Sequence, residues 1–219
     1  MMFRDRSDAG RQLAARLMSF RASDPVVLAL PRGGVPVGAE IARALDAPLD
    51  IVLVRKIGVP FQPELALGAI VDGEEPELVI DTQLMAMLAI PEGYVQEQRE
   101  RQLQEIERRR RSYLEGRPPV AVAGRTVIVV DDGIATGSTM TAALRAIRAR
   151  RPKKLVGAVA VASPDAARAM LHECDAMVCL NVPAEFYAVG QFFADFSQVS
   201  DDDVVAILKQ DFEKVAAVG

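Results

Sequence analysis

Five short apolar runs constrain what this chain can fold into more than any other feature. They are "VVLAL" (26–30), "LDIVLV" (49–54), and the stretches at 126–131, 154–162 and 176–181. They are apolar almost throughout instead of alternating with polar residues, as strands covered on both faces are. Helical spacing fills the gaps between them, over 35–46, over 139–150 and from about 164. Strand and helix in repeated alternation predict an α/β fold, a mostly parallel sheet with helices on both faces. At 219 residues, half of them hydrophobic, the chain suits one domain with a sizeable core, spanning about 24–182.

Three segments depart from that rhythm. Ala9, Leu13, Leu17 and Phe20 mark an N-terminal helix with Asp8 as its cap. Residues 55–77 hold three prolines and three glycines without lasting periodicity, so 57–75 is expected as a long functional loop, although "LALGAIV" has strand character. Residues 92–115 form a polar helix whose seam (Val95, Leu103, Ile106, Tyr113) lays it over the core, within a helical insertion at 84–115. A last helix begins at "SDDDVVAIL", where three aspartates suit the positive end of the helix dipole better than a metal.

Composition excludes several classes. A net charge of −4 and a pI near 5.2 argue against nucleic-acid binding, and "ERRRRSY" (107–113) reads as a solvated helix face. No apolar run approaches the ~20 residues that cross a bilayer, and the charged N-terminus has no signal core. Cys174 and Cys179 fit neither a disulfide framework nor a zinc pattern, which points to free thiols in a reducing cytoplasm.

One stretch carries the chemistry: "TVIVVDDGIATGSTM" (126–140). In parallel sheets ligands sit beyond the carboxyl ends of the strands, so Asp131 and Asp132 stand at the mouth of a site. Residues 133–139 can curl so that backbone N–H groups point inward, and the helix starting near Thr139 adds its own N–H groups and positive dipole end. Gly133 and Gly137 permit the turns, Ala135 keeps the loop bare, and Thr136, Ser138 and Thr139 offer hydroxyls. That is a phosphate cradle. The two carboxylates repel a phosphate, so they need a donor-rich neighbour: a vicinal diol or a divalent cation. Phosphate and diol together describe a ribose 5-phosphate. A P-loop lysine and a G-x-G-x-x-G run are both absent.

"VIVVDDGIATGST" resembles the phosphoribosyl pyrophosphate (PRPP) signature of the type I phosphoribosyltransferases, and the likeness extends over about residues 24–200. The resemblance implies that the acid pair holds the ribose hydroxyls, that the loop holds the 5′-phosphate, and that pyrophosphate leaves with Mg2+ as cofactor. "LPRGGVPVG" (30–38) resembles the family's pyrophosphate loop, with Arg32 as forked donor, Gly33 and Gly34 admitting amides, and a strained or cis peptide expected. Arg55 and Lys56, at a strand end, are assigned to neutralising pyrophosphate, and 57–75 resembles the flexible catalytic lid. The only histidine, His172, lies on a predicted helix and is read as structural.

Five aromatics crowd into 186–196. The stretch resembles the hood of the 6-oxopurine phosphoribosyltransferases, here about 183–200 plus N-terminal residues. Matching Gly190 places Tyr187 (or Phe186, if the register slips) at the base-stacking position and Asp195 at the metal-facing one. Phe192, Phe193 and Phe196 are read as packing. The lysine with which those enzymes read a base carbonyl is missing from "VGAVAVASPDA". The chain looks most like uncharacterised bacterial phosphoribosyltransferases sharing its "LPRGGVPV", "RKIGVP" and "AVGQFF" blocks. The family implies PRPP and a small nitrogenous acceptor as substrates, no membrane, and a homodimer with the 92–115 helix as candidate interface. The rival reading is a PRPP or nucleotide sensor without catalysis.

Overall fold

In the computed structural model the apolar runs lie side by side. The structure describes residues 1–73 and 76–218, with only the backbone of 63, 64 and 214–218. Strands β1 (Pro25–Ala29) and β2 (Leu49–Ile51) begin a main sheet. Strands β3 (Val54–Val59), β4 (Gln62–Val71) and β5 (Glu77–Ile80) form a second sheet. The main sheet is then completed by β6 (Thr126–Ile134), β7 (Lys154–Ala162) and β8 (Ala176–Asn181). Its order is β2-β1-β6-β7-β8, with every neighbouring pair parallel. The helices are α1 (Arg6–Leu17), α2 (Gly34–Leu45), α3 (Thr82–Met87), α4 (Glu92–Leu114), α5 (Ser138–Ala149), α6 (Pro164–Met170) and α7 (Asp201–Val218).

Successive strand residues point to opposite faces, and both faces are covered. Val27, Ala29, Ile128 and Val130 pack with α1, α2, α4 and α7, while Val26, Leu28, Val127 and Val129 pack with α5 and α6. This is the α/β fold the apolar runs predict. Asp5, not Asp8, caps α1: its carboxylate accepts from the Asp8 N–H at 2.7 Å. The cap therefore comes one turn earlier than the apolar spacing suggests.

The expected loop at 57–75 is instead largely sheet; residues 74 and 75 lie outside the described residues. β3 and β4 pair antiparallel with bulges around Gly58, and β5 adds to β4. Gly58 at the bulge and Pro60 at the tip hide this hairpin from a periodicity reading. Leu67, Ala69 and Val71 of "LALGAIV" are buried. Helix α4 lies over the core as its seam predicts, with Val95, Ile106 and Tyr113 buried. Arg108, Arg109 and Arg111 pair with Glu105 and Glu107 along the helix. Arg110 is the exception, because it forms an ion pair with the buried Asp72, which also accepts from the Leu53 N–H at 2.8 Å.

Burial pushes the Asp72 carboxyl up to about 6, against the opposing pull of Arg110. A raised folded-state pKa means that the native state holds the proton more tightly, so Asp72 adds stability as pH falls through 6 toward 4. Between pH 8 and pH 5 this contributes on the order of 1 kcal/mol. In urea titrations followed by circular dichroism, Asp72→Asn is expected to lower stability at both pH values and to remove that increment. An unchanged pH difference in the variant would exclude Asp72 as its source.

Candidate functional site

The site begins where one strand outruns its neighbour. β1 pairs with β6 only as far as Ala29 opposite Val130, whereas β6 continues along β7 to Ile134. Asp131 and Asp132 therefore lie inside β6 but past the end of β1, not in a loop after the strand. One Asp131 oxygen accepts from the Asp132 N–H at 2.9 Å. Asp132, 8% exposed, accepts from Arg6 Nε at 2.7 Å. Burial raises the carboxyl pKa of both, the Asp132 charge adding to the effect on Asp131 and Arg6 opposing it on Asp132.

The loop after the strand is shorter than 133–139. Ala135–Gly137 make the bend and α5 starts at Ser138. Gly137 takes φ 77°, the left-handed region that glycine adopts without strain. Gly133 is a strand residue instead; a Cβ there would lie 2.6 Å from Val189. Ser163 pins the loop, donating to the Ala135 carbonyl at 2.6 Å while capping α6. Thr136 Oγ1 and Ser138 Oγ lie 3.3 Å apart at the opening. The first N–H groups of α5 lack intrahelical partners and face this end with the positive dipole.

The "LPRGG" turn packs directly on the acids, and its Pro31–Arg32 peptide is cis. A Cβ on Gly33 would sit 2.2 Å from an Asp132 oxygen. That close approach, more than an amide path to a ligand, is what glycine provides here. Arg32 faces Asp201 at 3.7 Å across a half-exposed gap, a pair weak enough to yield to a better anion.

Arg55 and Lys56 are not at the end of a main-sheet strand. Both lie in β3 of the second sheet, on opposite faces by strand alternation. Arg55 donates to Gln102 of α4 at 3.0 Å. Lys56 lines a cavity of about 480 Å³ with Gly68, Asp81, Ser138, Thr141 and Arg145. Lys56 thus meets the start of α5, and Arg55 does not.

In the hood, Phe3, Phe192 and Phe193 form a small core, and Phe186 leans on Phe192 with ring centroids 5.7 Å apart. Tyr187 stands 84% exposed, whereas Phe186 is half-buried. Asp195, expected at a metal-facing position, is exposed at the surface of the hood. It accepts from both the Ser197 N–H and hydroxyl, which lower its pKa. No group of three or more metal-ligating side chains occurs among the described residues. His172 lies in the turn after α6 and is exposed.

Residues 5–196 match the family model for the phosphoribosyl transferase domain. The chain belongs to the phosphoribosyl transferase domain family. It is 44% identical over 220 residues, 99% of its length, to a Mycobacterium tuberculosis protein named "Putative phosphoribosyl transferase Rv0571c". It spans only 49% of that relative, about half the length of the curated proteins it matches. The crystal structure of TT1426 from Thermus thermophilus superposes with a TM-score of 0.85 at 44% identity, covering 96% of this chain and 99% of that one. Among the described residues no helix is long and apolar enough to cross a membrane.

Two residues of this phosphoribosyl transferase domain escaped the sequence reading. Ser163 shows a signal, since Ser163-Pro164-Asp165 is a helix-start pattern. Arg6 shows none, because it reaches Asp132 across 126 positions.

The fit between Gly33 and Asp132 is testable without a ligand. Gly33→Ala is expected to destabilise the fold by about 1–3 kcal/mol through overpacking. Gly93→Ala, on α4 with nothing within 4 Å of the added methyl, should be neutral or slightly stabilising. Chemical denaturation of the two variants checks this, and equal stabilities would refute the close packing.

Proposed function

We propose that this domain transfers ribose 5-phosphate from PRPP to a nitrogen acceptor and releases pyrophosphate. The observation that carries the reading is the acid pair beyond the end of β1, followed within a few residues by the Ala135–Gly137 bend and the start of α5. The bend suits a 5′-phosphate, and the acids suit the ribose hydroxyls beside it. Arg32 and Lys56 are the cations for pyrophosphate. Both are within exchange of solvent: the Arg32–Asp201 pair is half-exposed, and Lys56 is exposed.

In the reaction the bond between C1 and the pyrophosphate oxygen breaks, and its electron pair leaves with pyrophosphate. The positive charge that develops on the ribose lies near carboxylates fixed in advance, so the contribution is positioning and electrostatics. The acceptor nitrogen attacks C1 from the opposite face, forming the C–N bond with inversion and then losing its proton.

Magnesium fits this donor set. It binds through one or two carboxylates with substrate oxygens and water completing the shell, so Asp131 and Asp132 suffice without a third acid. When bound it supplies charge neutralisation on the leaving group. Asp195, held by Ser197, is not among its ligands in this proposal. The exposed face of Tyr187 suits a flat heterocycle. Phe186, packed on Phe192, does not contribute, and residues 156–166 carry no lysine to read a base carbonyl. The β3–β4 hairpin is the proposed lid, its tip at Phe61 being 98% exposed.

Asp131→Asn combined with Asp132→Asn is expected to weaken PRPP binding by at least about 100-fold, through loss of charged hydrogen bonds. The circular dichroism spectrum should be unchanged. Titration calorimetry reads the first and spectroscopy confirms the second; PRPP affinity equal to the parent's sinks the assignment. Incubation with PRPP, magnesium and a panel of nitrogen bases should release pyrophosphate with at least one base. Binding without turnover across the panel identifies a sensor, and turnover without any base identifies a hydrolase.

A further inference from the structure

We propose that Arg6 is a positioning residue that joins the hood to the acid pair, so that Asp132 is set for sugar hydroxyls only while the N-terminal segment is clasped to the hood. The inference rests on the reading of 131–138 as a sugar phosphate site.

One guanidinium makes three contacts. Nε donates to Asp132 at 2.7 Å, Nη1 donates to the Ser197 carbonyl at 2.8 Å, and the group lies 3.9 Å from the centre of the Phe196 ring. The Arg6 and Asp132 side chains are each 12% exposed. A guanidinium is planar with its donors in a fixed fork. It cannot follow the hood away from β6 and keep Asp132 in place. Losing it leaves a buried carboxylate without its counter-charge.

The backbone around Arg6 is held to the same end. Phe3 N–H donates to Phe192, Ala194 N–H to Phe3 and Asp195 N–H to Arg4, each at 2.8 Å. The Phe3 and Phe193 rings lie 5.3 Å apart. Asp5 then caps α1 and starts the helix on Arg6. A cation in the first turn opposes the helix dipole. Local preference therefore argues against arginine at this position, and the contact with Asp132 accounts for it.

The route continues into the acceptor side. Phe196 packs on Gly190, where an added Cβ would lie 2.8 Å from the ring, and Val189 closes on Gly133. Gly190, Phe196, Arg6 and Asp132 thus form one packed series. One end is the proposed sugar grip, and the other lies three residues after Tyr187, the proposed acceptor platform, whose N–H donates to Gln191 Oε1 at 3.0 Å.

The test compares ribose 5-phosphate with inorganic phosphate by titration calorimetry on the full chain. The phosphate cradle at 135–138 does not include Arg6, so the two ligands should separate. Arg6→Met is expected to lose about tenfold in affinity for ribose 5-phosphate and to bind phosphate as the parent does. Arg6→Lys keeps the charge without the fork and should fall between. Phe196→Leu, which leaves both charges in place, should shift the same ligand by about threefold, so the proposal is decided even if Arg6→Met fails to fold. In the Asp132→Asn background, Arg6→Met should cost nothing further, because the two act as one unit. Equal losses for both ligands, additive losses in the double variant, or parental affinity in Arg6→Met each overturn the inference. If the parent binds phosphate and ribose 5-phosphate equally, the sugar reading itself falls and takes this one with it.

Discussion

Two neighbouring carboxylates on a strand that outruns its partner are the constraint around which the rest of this structure is arranged. Burying adjacent like charges is costly, and burial raises the pKa of both. The surroundings answer that cost from three directions. Arg6 supplies a counter-charge, the Asp132 N–H supplies a donor to Asp131, and Gly33 leaves room for an Asp132 oxygen that any side chain would displace. One local preference is overridden here: Arg6 puts a cation in the first turn of α1, where the helix dipole disfavours it, and its contact with Asp132 offsets that cost.

The second sheet and α4 frame the acids from the other side. The Asp72–Arg110 pair ties α4 to the end of β4, and Tyr113 near the end of α4 donates to Asp201 at 2.6 Å. Asp201 also faces Arg32. The start of α7 is therefore linked to both the overlying helix and the Pro31–Gly34 turn. What reads in isolation as an acidic helix start also sets the electrostatic surroundings of a site residue.

The main sheet was legible because burial on both faces writes itself as uninterrupted apolar runs, and the acid pair was legible because its strand was. The hairpin was not. Its strands carry bulges and breakers whose placement only cross-strand pairing explains. Arg55 and Lys56 adjoin in sequence, but strand alternation in β3 turns them to opposite faces, and Arg55 donates to Gln102. Asp195 has a local partner that motif matching does not show, the Ser197 hydroxyl two residues on. Gly133 has the sequence setting of a turn glycine but is a packing glycine, because β6 runs three residues past Asp131. Arg6 could not be found at all, as no periodicity links the first residue of α1 to the middle of the chain.

The proposed function turns on where a sugar phosphate sits. A crystal structure of the protein with ribose 5-phosphate and magnesium tests it most directly. The phosphoryl group should lie on the amides of 135–138 and the two ring hydroxyls on Asp131 and Asp132. Density for the phosphate elsewhere, with the carboxylates still turned only to Arg6 and the backbone, would contradict it.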